Sequence, residues 1–289
     1  MSVLDFFLER WRPDMSLHFE MVPDRLPPEL KSRLERFPPG SVQLEIGIQT
    51  FNVEVGKLIE RRQNLSKTSD NLRYLRAETG VHIHADLIAG LPGETLSSFA
   101  DGFDRLVALQ PQEIQVGVLK RLRGTPIKQH TLTHRMRYST APPYEVLETG
   151  HMSEGQLDHI KHFARYWDLI ANSGNFIITT RRILSTADTS FESFSALTRW
   201  LYGHFGRTHR IALNQLAEAV FIFLTEVCGR PDDAVAMDLA EDLHRTPGRK
   251  TPGFLKPVIG RHWKPGASRR ATGHLKQRQA RHVLVPAAS

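Results

Sequence analysis

Hydrophobic and polar positions change period several times along this chain. Over 42–50 (VQLEIGIQT), Val42, Leu44, Ile46 and Ile48 alternate with Gln43, Glu45, Gly47 and Gln49. Over 81–89 (VHIHADLIA), Val81, Ile83, Ala85, Leu87 and Ala89 alternate with His82, His84, Asp86 and Ile88. A period of two predicts strands with two unlike faces. Leu17 to Met21 and Ile114 to Leu119 read as further strands. Between them the spacing turns helical. Helices are expected over about 24–36, 51–62 and 66–78, the last with Ser66 as its cap, and over 96–107 behind Thr95.

Strand–helix–strand order implies a parallel sheet with helices outside. Polar residues along one strand face mean that this face lines something other than an apolar layer. The expected fold class is α/β: a partial (β/α) TIM-like barrel lacking its first strands, with chemistry at the carboxyl ends of the strands. A doubly wound open sheet is the alternative. Beyond Pro126 the pattern becomes loop-rich to about 152. Helices then follow over 153–171, 191–205 and 211–227, broken once at Asn172-Ser173-Gly174-Asn175. The implied domains are 1–125, a partial barrel; 126–243, a helical region; and 244–289, a basic Pro/Gly-rich tail.

Charge sharpens the last boundary. The chain carries 38 basic and 31 acidic residues, a net +7. Residues 244–289 hold 11 Lys or Arg and no Asp or Glu, so the first 243 residues balance at −4. Pro252-Gly253 and Pro265-Gly266 punctuate the tail into loops. It reads as a solvated or loosely docked extension in preference to a nucleic-acid arm, because no zinc, stacking or recognition-helix motif accompanies the charge. Phe254 and Trp263 are too few for a stacking platform. No apolar run is long enough to span a membrane, and the N-terminus lacks the pattern of a secretory signal. A cytoplasmic protein is expected.

Three segments carry candidate chemistry together: Glu45-Ile46-Gly47-Ile48-Gln49-Thr50-Phe51-Asn52, then Arg61, then Asp86-Leu87-Ile88-Ala89-Gly90-Leu91-Pro92-Gly93-Glu94-Thr95. In this order and spacing the chain resembles the radical S-adenosylmethionine (radical SAM) superfamily, in the branch that includes oxygen-independent coproporphyrinogen oxidases. Gly117 to Pro126, with Pro142-Pro143-Tyr144-Glu145, makes it similar to radical SAM proteins that carry a cobalamin-binding domain and end in a domain of unknown function. The resemblance implies a SAM site. Gln49 would contact the methionyl or ribose part, Asp86 the ribose or amino acid moiety, and Arg61 the carboxylate. Glu20 would lie nearby, with Ile88 and the backbone at Gly90 along the adenine. A guanidinium suits a carboxylate, and a carboxylate suits a ribose diol. Read alone, the same residues also fit as lumen polar groups satisfying one another, a turn cap at Asp86 and a helix-surface arginine at 61.

The resemblance also implies a [4Fe–4S] cluster on a CxxxCxxC loop, and cobalamin, in an intact parent. Such clusters need thiolates, and the only cysteine here is Cys228. Leu17 to Met21 matches the family's third strand, so the expectation is the C-terminal part of a longer enzyme. It would be inactive alone and partnered by an N-terminal fragment bearing the cluster loop, with the substrate unknown. The alternatives are a non-catalytic SAM-binding remnant and nucleic-acid binding through the tail. His130 with His134, and His159 with His162, have no further ligand partners in the sequence and read as structural, not zinc-binding. His82 and His84 read as buried imidazoles bonded to neighbours.

Overall fold

The four expected strands form one parallel sheet. The computed structural model describes residues 3–260 and 277–283. Strands β1 (Leu17–Met21), β2 (Val42–Gln49), β3 (His82–Ala89) and β4 (Glu113–Val118) lie in the order β1-β2-β3-β4. Every neighbouring pair is parallel. Each connection steps to the next strand in the same direction. Right-handed crossovers then put all the connecting helices on one side of the sheet. The apolar strand positions face that side: Val42, Leu44, Ile46, Ile48, Ile83, Ala85 and Leu87 are all buried. The polar positions face the other side.

Two of the connecting helices are shorter than the periodicity implied. Helix α1 is Val3–Arg10 and α2 is Pro28–Leu34, where Asp24–Arg36 was expected. Helix α3 is only Val53–Leu58, because Asn52 Oδ1 accepts from the backbone N–H groups of Glu54 and Val55 and so starts the helix there. Helix α4 is Leu65–Glu78 and is capped by Asn64, not Ser66; Asn64 Oδ1 accepts from Lys67 N at 3.0 Å. Helix α5, Leu96–Ala108, is capped by Thr95 as expected and buries Phe99, Phe103 and Leu106. The segment after β4 is not all loop. It includes a 3-10 turn at Pro126–His130 and a small antiparallel pair, β5 (Arg137–Tyr138) with β6 (Val146–Glu148).

The chain divides into two compact units, Met1–Ala164 and Arg165–Ser289. The division falls inside α6, Glu154–Trp167, well beyond the boundary at 125 suggested by the sequence. The second unit is helical. The α6 path continues as a π-turn at Asp168–Asn172, followed by α7 (Ile177–Ile183), α8 (Ser190–Phe205), α9 (Leu213–Ile222) and a second π-turn at Phe223–Val227. Helices α10 (Asp232–His244), α11 (Lys256–Ile259) and α12 (Gln277–Val283) complete it. Helices α7 and α10 escaped the sequence reading. The first is too short to show a full apolar stripe, and the second buries polar Asp242 amid Val235, Leu239 and Leu243.

Asp242 is 1% exposed and caps α7 from across the unit. Its carboxylate accepts from Ile178 N at 3.0 Å, Thr179 N at 2.8 Å and Thr179 Oγ1 at 2.9 Å. The described part of the tail is partly helical rather than loop throughout, and it docks on its own unit. Arg278 donates to Asn172 O and Asp168, Arg281 to Ser173 O, and Arg249 to Asn175 Oδ1. These cations cover the carbonyls left open where the α6 path ends. Trp263 and Pro265-Gly266 lie outside the described residues. No helix among the described residues is long and apolar enough to cross a membrane.

Candidate functional site

Parallel register sorts the polar face into rows. His18, Gln43 and His82 form one; Glu20, Glu45, His84 and Glu113 the next; then Gly47, Asp86 and Gln115; then Ile88 and Gly117 toward the carboxyl ends. Glu113 Oε1 lies 3.1 Å from His82 Nε2, and its Oε2 lies 3.3 Å from His84 Nδ1. His84 Nε2 is 3.1 Å from Gln115 Oε1 and 3.4 Å from Asp86 Oδ1. Both imidazoles are thus engaged with neighbours, as expected for this strand. At the outer edge, His18 Nε2 meets Glu45 Oε2 at 3.0 Å.

Burial alone would push the His84 pKa down, but Asp86 and Glu113 on either side more than reverse this and hold it up at about 10. At neutral pH His84 is therefore an imidazolium between two carboxylates. It balances charge on a sheet face that would otherwise carry only acids at these positions.

At the carboxyl end of β2 the register slips between Gly47 and Gln49, and Gln49 adopts φ 69°. A non-glycine residue rarely takes this left-handed conformation, and such bulges re-aim side chains at strand ends. Arg61, from the loop after α3, donates through an Nη to Gly47 O at 2.8 Å, and Gln63 Nε2 donates to the same oxygen at 3.1 Å. Residue 47 must be glycine for this to fit. A Cβ there would stand 2.6 Å from both the Arg61 Nη and Gln49 Nε2. The following turn is tied to the turn after β3, because Thr50 Oγ1 donates to Glu94 Oε1 at 2.6 Å.

Above these strand ends lies a cavity of about 310 Å³. Gln49, Arg61, Ile88, Leu91 and Leu119 line its strand side, and Thr125 to His130 supply the opposite wall. Two acceptors at this end of the polar face are buried without a hydrogen-bond donor from the protein: Gln49 Oε1 and Asp86 Oδ1. Buried acceptors without a donor are costly; Gln49 lines this cavity, so its oxygen is placed to take a ligand's donor, whereas Asp86 lines neither this cavity nor the next. A larger cavity of about 740 Å³ runs beside α3 and the loop after it and shares Arg61, but neither acceptor lines it.

Of the six residues singled out in the sequence, Gln49, Arg61 and Ile88 meet at the smaller cavity. Asp86 sits two residues before Ile88 on the same face of β3, one row below. Glu20 is exposed on edge strand β1, in the row of Glu45 and His84. Gly90 has φ 80°, and the space beside its Cα is taken by Val146 Cγ1 and the Leu157 methyls. Sequence reading missed Glu113 and Gln115, whose roles depend on pairing across strands 31 residues apart. It also missed the Thr125–His130 wall. The alternation in β4 is the one signal that could have found Glu113 and Gln115.

Among the described residues no group of three or more His, Cys, Asp or Glu is arranged to hold a metal ion. The two nitrogens of His84 face different carboxylates, so its cluster has no common centre. His130, His134 and His151 pack ring against ring at 5.6 and 5.9 Å. Burial and the charges of the other two lower the pKa of His134. Cys228 is half-buried and free, and burial raises its pKa against a smaller opposing effect of Arg230. One thiol cannot supply the ligands of an iron–sulfur cluster.

Residues 133–258 match the family model described as "Protein of unknown function (DUF4080)". In sequence, the chain is 36% identical over 77 residues to the oxygen-independent coproporphyrinogen III oxidase of Pseudomonas aeruginosa, covering 27% of this chain and 17% of that one. It is 29% identical over 107 residues to the Escherichia coli enzyme of the same name, covering 37% and 23%. The chain thus spans less than a quarter of the length of these curated relatives. Among solved structures, the Escherichia coli coproporphyrinogen III oxidase, described as a radical SAM enzyme, aligns with TM-score 0.42 at 20% identity, covering 58% of this chain and 36% of that one. The radical S-adenosylmethionine methyltransferase TsrM of Kitasatospora setae, with tryptophan and a SAM analogue bound, aligns with TM-score 0.42 at 16% identity, covering 60% and 41%.

Proposed function

We propose that the first unit is the SAM-binding part of a radical SAM protein, its four-stranded sheet an arc of a (β/α) barrel. The observation that carries this reading is Gln49 Oε1, a buried acceptor without a protein donor, in one cavity with Arg61 and Ile88 at the carboxyl ends of parallel strands, with Asp86 one row below on the same face. SAM presents ribose hydroxyls and an ammonium as donors, a carboxylate for a guanidinium and a flat adenine. Arg61 keeps donors beyond the one it gives to Gly47 O, and those would take the carboxylate. Gln49 and Asp86 would accept from the hydroxyls or the ammonium. Ile88, Leu91 and Leu119 would lie against the adenine and keep water from it. Glu20 and Gly90 act at the margin, the first toward the open face and the second by letting the β6 strand approach. Sequence similarity to coproporphyrinogen III oxidases supports the reading.

SAM supplies an activated sulfonium, and radical cleavage of it needs an electron from a cluster. These residues do not fit such a cluster, since one thiol cannot ligate it. Its thiolates would come from outside these 289 residues, and cobalamin use rests on resemblance alone. A free half-buried thiol suits a reducing, cytoplasmic setting. A remnant that binds SAM without cleaving it fits the same donor–acceptor pattern, and the single cysteine favours it for this chain by itself.

Titration calorimetry with SAM tests the proposal. Saturable binding that weakens about tenfold or more in Arg61→Ala and Gln49→Ala supports it. No heat of binding to a folded wild-type chain removes it. Attempted anaerobic cluster reconstitution of this chain alone should leave no stable iron–sulfur absorption.

A further inference from the structure

We propose that the second unit binds a single-stranded nucleic acid on the exposed face at the end of α8 and on the connection that follows it. The proposal is independent of the SAM-site reading. Between Glu192 and Glu218 the chain has no acidic residue, and it carries Arg199, His204, Arg207, His209 and Arg210. The first 243 residues as a whole balance at −4, so this is a local reversal of sign. All five cationic or imidazole side chains are exposed. Six residues of helix, about 9 Å, separate Arg199 from the end of α8 at Phe205. Gly206 closes the helix with φ 61°, and α9 begins at Leu213, so the connection is short. Tyr166 Oη donates to Arg207 O at 2.8 Å and fixes its start.

Among the described residues the guanidiniums of Arg199, Arg207 and Arg210 have no hydrogen bond or ion pair. Arg73, Arg137 and Arg182, by contrast, each hold a carboxylate. Nor do these three cover a helix end as Arg278 and Arg281 do; Tyr202 O is taken by Gly206 N. Asp168, two residues past Tyr166, is taken by Arg278 at 2.7 Å. Uncommitted guanidiniums stay charged at any working pH and suit phosphate oxygens bidentately. Rings interleave with these charges. Tyr202, one turn on from Arg199 along the same face, is 40% exposed. Exposed His204 lies flat on Trp200, with centroids 5.0 Å apart and 10° between planes, and Trp200 packs against buried Phe223. The stack runs outward from the core and ends in an exposed ring, where an unpaired base would continue it. A duplex keeps its base faces to itself, and a lipid headgroup has no flat ring to offer, so rings among arginines favour an unpaired strand.

Fluorescence anisotropy on the full chain tests this, with labelled oligouridine and oligothymidine of about 15 nucleotides as probes. Saturable binding to either strand, falling steeply with salt, is expected, and the tighter of the two identifies the sugar. The triple variant Arg199→Ala, Arg207→Ala, Arg210→Ala should bind about tenfold or more weakly. Its log–log salt slope should fall by about 2, from three lost phosphate contacts at about 0.7 each. His204→Ala should weaken binding about fivefold and leave the slope unchanged. Arg73→Ala, which removes a paired arginine of the first unit, should bind as the wild type does. The substituted side chains are exposed, so melting should be unchanged; if the triple variant melts early, Arg207→Glu alone carries the test with the same expected direction. No binding by folded wild type overturns the proposal. So does wild-type affinity in the triple variant, which would move binding to the basic tail. Equal affinity for a duplex of the same length, or for phosphatidylserine vesicles, overturns the unpaired strand as the partner.

Discussion

The Thr50 hydroxyl and the Glu94 carboxyl meet at 2.6 Å and join the turn after β2 to the turn after β3. Glu94 is 1% exposed, and its second oxygen has no protein donor. Burial, opposed by the Thr50 bond, pushes its pKa up from 4.5 to about 7. The folded value lies above the unfolded one. The associated stability is therefore fully present below about pH 4.5 and is lost as pH rises through about 7. Glu94→Gln keeps a neutral group of the same shape and should flatten that loss. Thermal melts at acidic and mildly alkaline pH check this: the gap in Tm between variant and wild type should widen in favour of the variant as pH rises.

Gly47→Ala tests the anchoring of Arg61 while leaving residue 61 an arginine. The added methyl would meet the flexible ends of Arg61 and Gln49, not backbone, so the fold should survive. The Arg61 bond to Gly47 O should not. Urea unfolding should change by roughly 1 kcal/mol, while SAM affinity falls about tenfold.

Gly90→Ala should damage the fold itself. Its φ of 80° disfavours any Cβ, and that atom would lie 2.5 Å from Val146 Cγ1. Left-handed strain and overpacking together should cost about 2–4 kcal/mol, read as a lower urea midpoint at unchanged m-value.

Asp242 governs the second unit. Burial raises its pKa to about 6, against the three bonds it accepts from Ile178 and Thr179 and the field of Arg245. The stability tied to its protonation is present below its unfolded value of 3.8 and is lost as pH climbs through about 6. Asp242→Ala leaves three donors unmet and should destabilise by about 2–4 kcal/mol. Hydrogen exchange should show α7 amides losing protection ahead of those in α8.

The alternations at Val42–Gln49 and His82–Ala89 were enough to give strands and to say which face is polar, because a period of two records burial directly, and the helices between them gave the parallel order. It was the resemblance, not the alternation, that singled out Gln49, Asp86 and Ile88 on that face. What the alternations could not give was pairing across the sheet. Glu113 reads from sequence as an ordinary charged residue at a strand start, and only its register opposite His84 makes it part of the cluster. Helix starts were misjudged at two asparagine caps: Asn52 lies inside the helix expected from residue 51, and Asn64 caps two residues ahead of the expected Ser66. Asp242 was illegible for a related reason: its partners lie 63 and 64 residues away, and nothing local marks it as a cap.

The docking of Arg278 and Arg281 onto Asn172 and Ser173 sets a schedule for biosynthesis. More than a hundred residues separate these partners. While the ribosome still encloses the later stretch, the earlier carbonyls have only water to satisfy them. That helix terminus gains its cover only after those arginines emerge, so a polypeptide released early would leave it frayed and open to proteases.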